Sequence, residues 1–451
     1  MNLRVTAVTV ELDKLRTEHF RDAIGDVLNR VNCTVSDGCY KFTNDLGLNE
    51  FLRNMCSEFS GKNAGICYMA DSYDSQKVSG ESESLKRFTN TIISTHHSIA
   101  DHCKVTVLFE NVPKIFAMIM NSFRDYATSE KSARYTVMEN LPEDESKLYN
   151  KWREILKNVL VMRNDVPEKQ AEKLANENAR YFISIFSPAT TFSYTTSIRQ
   201  WNYINQWFKE LVETNTPKDG KDMVLISGLF YERLKPWLLE FSNLFESTFV
   251  YNDLIQDPKG RRIDFIPQLY PDTSFPLYEK NYYRDAYCVH YHVSFSSLAQ
   301  LHRHRSIQYM INDLRLMEEP VFFVPDFLSS DESLATEWLD DMHSVKDNFP
   351  QGLVVEVVEL GTIGNFLLKC DERLCGRAQY ETMACVSNVL RGFYEEGNLS
   401  KYFEKWVASW IEVNEKDGSL RVKAKCEMRP FGCADKGGCL HGPLGATDRT
   451  F

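Results

Sequence analysis

The run Gln300-Leu301-His302-Arg303-His304-Arg305 brings two arginines and two histidines next to a glutamine. If this run is helical, Gln300 lies three residues from Arg303 and four from His304, which predicts that all three share one face. An arginine presents a planar fork of donors that matches phosphate, so two arginines around an imidazole suit a diphosphate beside a planar cofactor. A solvated basic helix end is the alternative interpretation of the same residues.

The segments around this run follow an order that occurs twice in the chain. In the second half, Ala286 to Phe295 alternates apolar and polar residues as a half-buried strand does, and a helix is predicted to begin near Ser296. In the first half, a strand is predicted at Cys103 to Phe109 and a helix at Pro113 to Arg124, where proline suits the first helical turn. The pattern predicts an α+β fold repeated twice.

The remaining segments support two domains of similar size. Further helices are predicted at Pro167 to Phe186, Ile198 to Val212 and Gly376 to Phe393. Polar or Pro/Gly-bearing stretches at Thr214 to Asp222 and Asp257 to Pro276 are predicted to be loops. A boundary near residue 225 then gives a first repeat over 1–225 and a second over 226–451, together a pseudo-dimer. We call these ranges the first and second halves.

Composition restricts the class of protein. The chain has 451 residues, of which 43% are hydrophobic and 12% aromatic, which favours packed domains over disorder. No apolar stretch reaches the roughly 20 residues of a membrane span, and no secretory signal is visible, so a cytoplasmic location without membrane contact is expected. The net charge of −11 argues against nucleic acid as a partner.

The run at Gln300 resembles part of a known motif. Flavin-dependent thymidylate synthases carry Gln-x-x-Arg-His-Arg-x7-Ser-x-Arg-Tyr, and Gln300, Arg303, His304 and Arg305 match its beginning. The resemblance implies that the Arg-His-Arg residues line the flavin and folate side, while Gln300 contacts the nucleotide. The second part is lost here, since Asp313 stands where the family has serine, and a carboxylate there would repel a phosphate.

The first half carries the complementary part of this motif. Glu130, Ser132, Arg134 and Tyr135 match the family's Glu-x-Ser-x-Arg-Tyr. The positions of the family's Gln, Arg and His are instead occupied by Ile119, Ser122 and Phe123. The resemblance therefore implies that Glu130, Ser132 and Arg134 bind dUMP.

Other segments extend the resemblance. Arg373-Leu374-Cys375-Gly376-Arg377-Ala378-Gln379-Tyr380-Glu381 resembles the family's Arg-x-Cys-x-Arg-Ala-Gln-Trp-Glu. By this resemblance Arg373 is the catalytic, uracil-binding arginine, and Arg377 lies on the flavin and folate side. The stretch from His96 to His102 resembles the family's His-x-Ser-x-x-Asp-His, although two buried histidines would explain it equally well.

Four further first-half residues complete the expected site. Ser98 and Asp101 are expected to approach the flavin, Arg199 resembles a flavin-binding arginine, and Arg180 resembles a second nucleotide-binding arginine. No metal is expected, because Cys426, Cys433, Cys439 and His441 lack a tight Cys-x2-Cys pair.

The resemblance implies a reaction and its partners. dUMP would be methylated at C5 to dTMP, with methylenetetrahydrofolate supplying the carbon and FAD, reduced by NADPH, supplying the hydride. Sites in this family lie between subunits of a tetramer, so one composite site between the repeats is expected to be complete and its reciprocal site dead. Two chains would form a homodimer that mimics the tetramer. A hydroxymethylating nucleotide enzyme, or a catalytically dead flavin- or nucleotide-binding protein, are the alternatives.

Overall fold

The computed structural model describes residues 1–8, 33–36, 39–42, 56–66, 81–93, 96–123, 125–214, 228–248, 286–313, 319–397, 399–428 and 447. The strands of the first half are β1 (Asn2–Val8), β2 (Cys33–Ser36), β3 (Cys39–Phe42), β4 (Lys104–Val112), β5 (Ala127–Glu130) and β6 (Thr190–Ser197). Its helices are α1 (Glu81–Ile93), α2 (Lys114–Ser122), α3 (Glu143–Asn164), α4 (Glu168–Ala179) and α5 (Ile198–Thr214), and residues 56–64 are also helical.

The second half begins with the helix α6 (Gly228–Thr248), which packs against α5 of the first half. Its strands are β7 (Ala286–Ser294), β8 (Gln308–Asp313), β9 (Val354–Thr362), β10 (Ile411–Val413) and β11 (Leu420–Val422). Its other helices are α7 (Phe295–Leu301), α8 (Glu332–Ser344), α9 (Ile363–Arg373), α10 (Tyr380–Glu396), α11 (Lys401–Ser409) and α12 (Lys425–Met428). The predicted α+β class is confirmed.

The main sheets of the two halves share a topology. The first has the order β1-β4-β6-β5 and the second the order β7-β9-β8, with all pairs antiparallel. In each half the first predicted strand runs directly into a short helix, and the central strand, β6 or β9, runs directly into α5 or α9. Strand pairing identifies equivalent positions in the two halves. Lys104 pairs with Ser197 in the first half and Ala286 pairs with Thr362 in the second, so Ser197 is equivalent to Thr362. The predicted duplication would produce this likeness, and it stays a prediction.

The halves meet along a short two-fold-like contact. Ser184 and Pro350 form an isolated antiparallel bridge. On one side of it the Ile185 N–H donates to the Phe349 carbonyl at 2.9 Å, and on the other the Gln351 N–H donates to the Ile183 carbonyl at 2.9 Å. Each half thus offers the same backbone groups to the other, as two related subunits would across a symmetry axis.

A continuous hydrophobic core crosses this contact. The ring of Trp338 in the second half packs edge-on against Trp152 and Phe182 of the first, with centroids 4.9 and 4.6 Å away. The indole N–H of Trp152 donates to the Asp341 carboxylate at 2.8 Å. Because these large rings are fully buried, the contact contributes substantially to stability.

Several element boundaries differ from the predictions. The helix predicted over Pro167 to Phe186 ends at Ala179, because Ile183 is extended and the backbone around Ser184 pairs with the second half. The helix predicted to begin at Gly376 begins at Tyr380. The predicted boundary near residue 225 and the loop at Asp257 to Pro276 lie outside the described residues. None of the helices within the described ranges is both long and apolar enough to span a bilayer.

Candidate active site

The run at Gln300 does not form one helical face, which corrects the first prediction. Helix α7 ends at Leu301, and the Arg303 and His304 N–H groups close turns on the Gln300 and Leu301 carbonyls at 3.3 and 3.1 Å. The turn follows because the next strand, β8, must begin within a few residues and pair with β9. The side chains of Arg303 and His304 therefore point in different directions. Arg303 points toward a cavity and His304 points into the core.

A cavity of about 540 Å³ lies between the halves. From the first half it is lined by Lys114, Glu130, Lys131, Ser132, Ala133, Arg134, Tyr135, Met138, Glu177, Arg180 and Thr190. From the second half it is lined by Ala299, Gln300, Arg303, Arg305, Gln351, Glu372, Arg373 and Arg377. Nine of the thirteen predicted site residues are among them. Eight cationic side chains face three carboxylates, so the cavity is built for anions.

Arg134 connects the two sides of this cavity. Its Nε donates to the Glu177 carboxylate, and its Nη1 donates to the backbone carbonyl of Arg377. Glu177 is almost fully buried, so its charge fixes the guanidinium of Arg134 in place. The predicted nucleotide residue of one half is thus held against a predicted flavin residue of the other.

The Glu130 carboxylate forms ion pairs with two side chains of the protein. Its Oε1 lies 2.5 Å from Lys114 Nζ and its Oε2 lies 3.0 Å from Arg303 Nη1. Sequence reasoning assigned Glu130 to dUMP, but here its carboxylate orients Arg303. Because this one carboxylate accepts from both cations, it holds the Lys114 and Arg303 side chains in place.

Arg305 is oriented by an aromatic ring of the first half. Its guanidinium lies 4.3 Å from the ring centroid of Tyr126 and donates through Nη1 to the Tyr126 carbonyl. Tyr126 in turn stacks on Tyr194, with centroids 4.8 Å apart. A cation held over an aromatic face loses little entropy when it binds an anion.

His304 lies beneath the cavity rather than on its wall. Burial, with the positive charges of Arg373 and Lys369, lowers the pKa of His304 to about 2. The ring is therefore neutral, and its Nε2 makes no hydrogen bond with any described residue. A neutral imidazole beside Arg373 acts as a hydrogen-bonding group and not as a charge.

Arg373 and Gln300 are neighbours at the end of the cavity. Arg373 Nη2 donates to the Gln300 backbone carbonyl at 3.0 Å, and burial lowers the pKa of the guanidinium. The Nε atoms of Arg373 and of Arg180 are buried and have no partner among the described residues. Unsatisfied buried donors are costly, so an anionic or carbonyl-bearing ligand fits these two arginines.

Ser98, Asp101 and Arg199 do not line this cavity. Arg199 Nη1 lies 2.8 Å from Asp101 Oδ2, its Nε donates to the Tyr203 hydroxyl at 3.0 Å, and the Ser197 hydroxyl donates to Asp101 at 2.8 Å. Ser98 belongs to the adjacent 3-10 turn His97–His102. These predicted flavin residues form a second cluster.

In the first half, aromatic rings occupy the positions equivalent to His304 and Arg373. The pairing of β5 and of β8 makes Phe123 equivalent to His304, and the pairing of β6 and of β9 makes Phe208 equivalent to Arg373; the Phe123 and Phe208 rings lie 6.5 Å apart. Trp207 packs edge-on against Phe123 at 5.4 Å. Neither ring can bind a phosphate. Arg124 and Arg315 lie outside the described residues, so the expected dead site stays a prediction.

Several residues in and beneath the cavity were not predicted as site residues. Gln379 belongs to the matched string Arg373 to Glu381, and it bonds Arg180, Gln300 and the Tyr181 hydroxyl. Nothing in the sequence marks Lys114 and Lys131 as cavity residues, because single lysines at a helix start or strand end are common on protein surfaces. Cys433, Cys439 and His441 lie outside the described residues, and no metal-binding group occurs within those that are described.

Comparisons with known proteins agree with the motif resemblance in the first half. The family model described as Thymidylate synthase complementing protein matches residues 57–207. No curated protein matches the chain.

Two solved structures resemble the chain at low identity. The UMP/dUMP methylase PolB from Streptomyces cacaoi, bound with 5-Br dUMP, is 12% identical with a TM-score of 0.27 and covers 44% of this chain and 88% of its own. The flavin-dependent thymidylate synthase ThyX from Helicobacter pylori, complexed with FAD and dUMP, is 13% identical with a TM-score of 0.22. It covers 43% of this chain and 94% of its own. Neither similarity assigns a ligand to this chain.

Proposed function

Because residues 57–207 match the family model described as Thymidylate synthase complementing protein, we propose that this chain methylates dUMP at C5 to give dTMP. Methylenetetrahydrofolate would supply the carbon, and FAD reduced by NADPH would supply the hydride. The observation that most supports this is the joint lining of one cavity by Ser132 and Arg134 of the first half and Gln300, Arg303 and Arg373 of the second. In the sequence these two groups are fragments of a single motif.

The nucleotide would bind with its phosphate on the first-half side. Ser132, Arg134 and Arg180 offer a hydroxyl and two guanidinium groups at one wall of the cavity. Arginine forks suit the planar arrangement of phosphate oxygens, and a preoriented arginine loses little entropy on binding. Glu130 serves the site through Arg303, whose guanidinium it holds.

The pyrimidine would lie against Arg373. A fixed guanidinium at a ring carbonyl withdraws electron density and stabilises the negative charge that develops on the pyrimidine during C5 attack. Burial strengthens this interaction because water is excluded from the arginine. No protein nucleophile is required for this role.

The cationic wall of the second half suits a flavin dinucleotide. Arg303, Arg305 and Arg377 line the cavity and would hold its diphosphate, with neutral His304 beneath. FAD would supply the hydride chemistry that amino-acid side chains lack. The side chains themselves bind, orient and exclude water.

Two chains would complete the flavin site. Asp101 and Arg199 form a cluster outside the cavity of their own chain, so a second copy is proposed to bring its cluster to the first. A homodimer would then have twice the 52.3 kDa of one chain by light scattering. A strictly monomeric protein with full activity would contradict this arrangement.

The test of the reaction is spectroscopic and chemical. The purified protein should be yellow and should bleach anaerobically with NADPH in the presence of dUMP. With methylenetetrahydrofolate added, mass spectrometry should find dTMP. A hydroxymethyl product would replace the reaction proposed here by its alternative, and a colourless protein that leaves dUMP unchanged would refute enzymatic function.

The composite site has its own test. Arg134→Ala in the first half and Arg303→Ala in the second should each abolish turnover, because each removes one side of a single cavity. The control is Arg163→Ala, whose guanidinium lies outside the cavity and pairs with Asp331 at 2.6 Å. Unchanged dUMP binding in Arg134→Ala would reject the cross-half site.

A further inference from the structure

Gln379 lies below the cavity and connects its two halves. Its side chain is 2% exposed. Its Oε1 accepts hydrogen bonds from Arg180 Nη2 in the first half and from Gln300 Nε2 in the second. The Ser296 hydroxyl donates to the same oxygen at 3.3 Å.

Arg180 fixes the orientation of the Gln379 amide. A guanidinium has donors and no acceptor, so the Gln379 atom that faces Arg180 must be the oxygen. The Nε2 group then points the other way and donates to the Tyr181 hydroxyl, which itself donates to Glu381 at 2.8 Å. Both ends of the Gln379 amide are thus determined by their partners.

The fixed Gln379 oxygen in turn fixes Gln300. An oxygen cannot donate, so the Gln300 atom that faces it must be the amide nitrogen. The Gln300 Oε1 therefore points away from Gln379, and it makes no hydrogen bond with any residue that the structure describes. Because Gln300 lines the cavity, this oxygen is available to a ligand.

A donor stands beside this acceptor. Arg373 donates through Nη2 to the backbone carbonyl of Gln300 at 3.0 Å, and its buried Nε has no partner within the described residues. The cavity end thus offers a donor from Arg373 next to an acceptor from Gln300. This pair matches a ring edge with a carbonyl oxygen next to an N–H group.

We propose that the hydrogen bonds from Arg180 and from Gln300 to the Gln379 oxygen, here called the polarity relay, keep the Gln300 oxygen facing the ligand as an acceptor. The relay thereby selects uracil over cytosine. The inference rests on the proposed function, since it concerns the base of the same nucleotide. Uracil presents an N3–H donor between two carbonyl oxygens. With Arg373 at O4 of uracil, cytosine would bring its unprotonated N3 to the Gln300 oxygen and its amino group to Arg373, so acceptor would meet acceptor and donor would meet donor.

The relay makes Gln379 a positioning residue rather than a catalytic one. Sites built to hydrogen-bond a particular edge reject an analogue with the wrong edge because buried polar groups are left unpaired. Two mismatched groups predict that wild-type protein binds dUMP about a hundredfold more tightly than dCMP. If Gln379 loses its oxygen, the side-chain amide of Gln300 can rotate and present either its oxygen or its nitrogen to the ligand.

The experiment measures the Kd of dUMP and of dCMP by calorimetry on FAD-saturated protein. Gln379→Leu should reduce the hundredfold preference to about threefold or less, because either Gln300 rotamer becomes available. Gln379→Glu should keep the preference, since a carboxylate oxygen still accepts from Arg180 and Gln300. Ser296→Ala, which removes another donor to the same oxygen, should also keep it.

The outcomes separate the relay from the proposed function. An unchanged dUMP/dCMP ratio in Gln379→Leu overturns the relay, and so does equal binding of both nucleotides by wild-type protein. Binding of neither nucleotide by the wild type overturns the proposed function, and the relay with it. If Gln379→Leu does not fold, Gln300→Met at the cavity wall must lose the preference, and a retained preference overturns the relay.

Discussion

Arg303 Nη1 lies 3.0 Å from Glu130 Oε2, and this ion pair joins the second half of the chain to the first across the cavity. Glu130 is buried at its carboxylate and also accepts from Lys114 at 2.5 Å. Arg303 is therefore ordered before any ligand arrives. Loss of this order should appear as weaker binding on the flavin side.

Glu130→Gln tests this expectation. Without the carboxylate charge, Arg303 loses a charged hydrogen bond, and the Kd for FAD should rise about tenfold to a hundredfold. Flavin fluorescence during titration measures it. Glu143→Gln, at an exposed site paired with Lys147, is the control and should leave the Kd for FAD unchanged. An unaltered Kd in Glu130→Gln would mean that Arg303 does not bind FAD.

Phe208 and Arg373 occupy equivalent positions but should respond oppositely to alanine. Phe208→Ala empties a buried site and should reduce the free energy of unfolding by about 3–5 kcal/mol while the Kd for dUMP stays unchanged. Arg373→Ala should abolish turnover with a much smaller loss of stability. Urea denaturation and nucleotide titration measure the two effects. A large loss of dUMP affinity in folded Phe208→Ala would show that the first-half side also binds nucleotide.

Acid should destabilise the protein through two buried histidines. Burial lowers the pKa of His302 from 6.5 to about 4 and that of His304 from 6.5 to about 2. Below about pH 6.5 the unfolded chain therefore binds more protons than the folded one, so stability is present above this pH and is lost as pH falls. Each histidine contributes a slope of about 1.4 kcal/mol per pH unit.

The substitution that tests this is His304→Phe, which installs the residue of the equivalent position Phe123. Between about pH 6 and pH 4.5, the slope of unfolding free energy against pH should decrease by about 1.4 kcal/mol per unit. His343→Phe, at an exposed ring, serves as the control. A slope that stays the same in His304→Phe would show that the wild-type ring is already protonated in the folded state.

A buried ion pair below the second sheet should be costly to break. Lys369 Nζ lies 2.5 Å from Glu359 Oε1, both side chains are fully buried, and the Tyr287 hydroxyl donates to the same carboxylate at 2.5 Å. The first half has Ile204 and Tyr194 at the equivalent positions. The second half therefore carries a charged core where the first carries an apolar one.

Lys369→Met should reduce the free energy of unfolding by about 3–5 kcal/mol, because Glu359 is left buried without its cation. Adding Glu359→Gln to that variant should restore part of the loss. Chemical denaturation of both single variants and the double variant measures the coupling. Strictly additive losses would indicate that the two side chains do not stabilise each other.

Local sequence predicted much of the fold. The alternating apolar residues of β4 and β7 and the helices that follow them are short-range patterns, and the structure has them within a few residues of the predicted bounds. The predicted helix through Arg303 and His304 was wrong, because pairing of β8 with β9 requires the chain to turn at Leu301. Local helix propensity contains no information about pairing with a strand that is distant in the sequence.

The residue types of the proposed site could be predicted from the chain without coordinates, since Ser132, Arg134, Gln300, Arg303 and Arg373 match fragments of a known motif. How these residues meet depends on contacts between distant parts of the chain. Arg134 is held by the Arg377 carbonyl 243 residues away, and Arg180 by Gln379 199 residues away. The polarity of such hydrogen bonds depends on which atoms the folded chain places face to face, and no pattern of neighbouring residues contains that information.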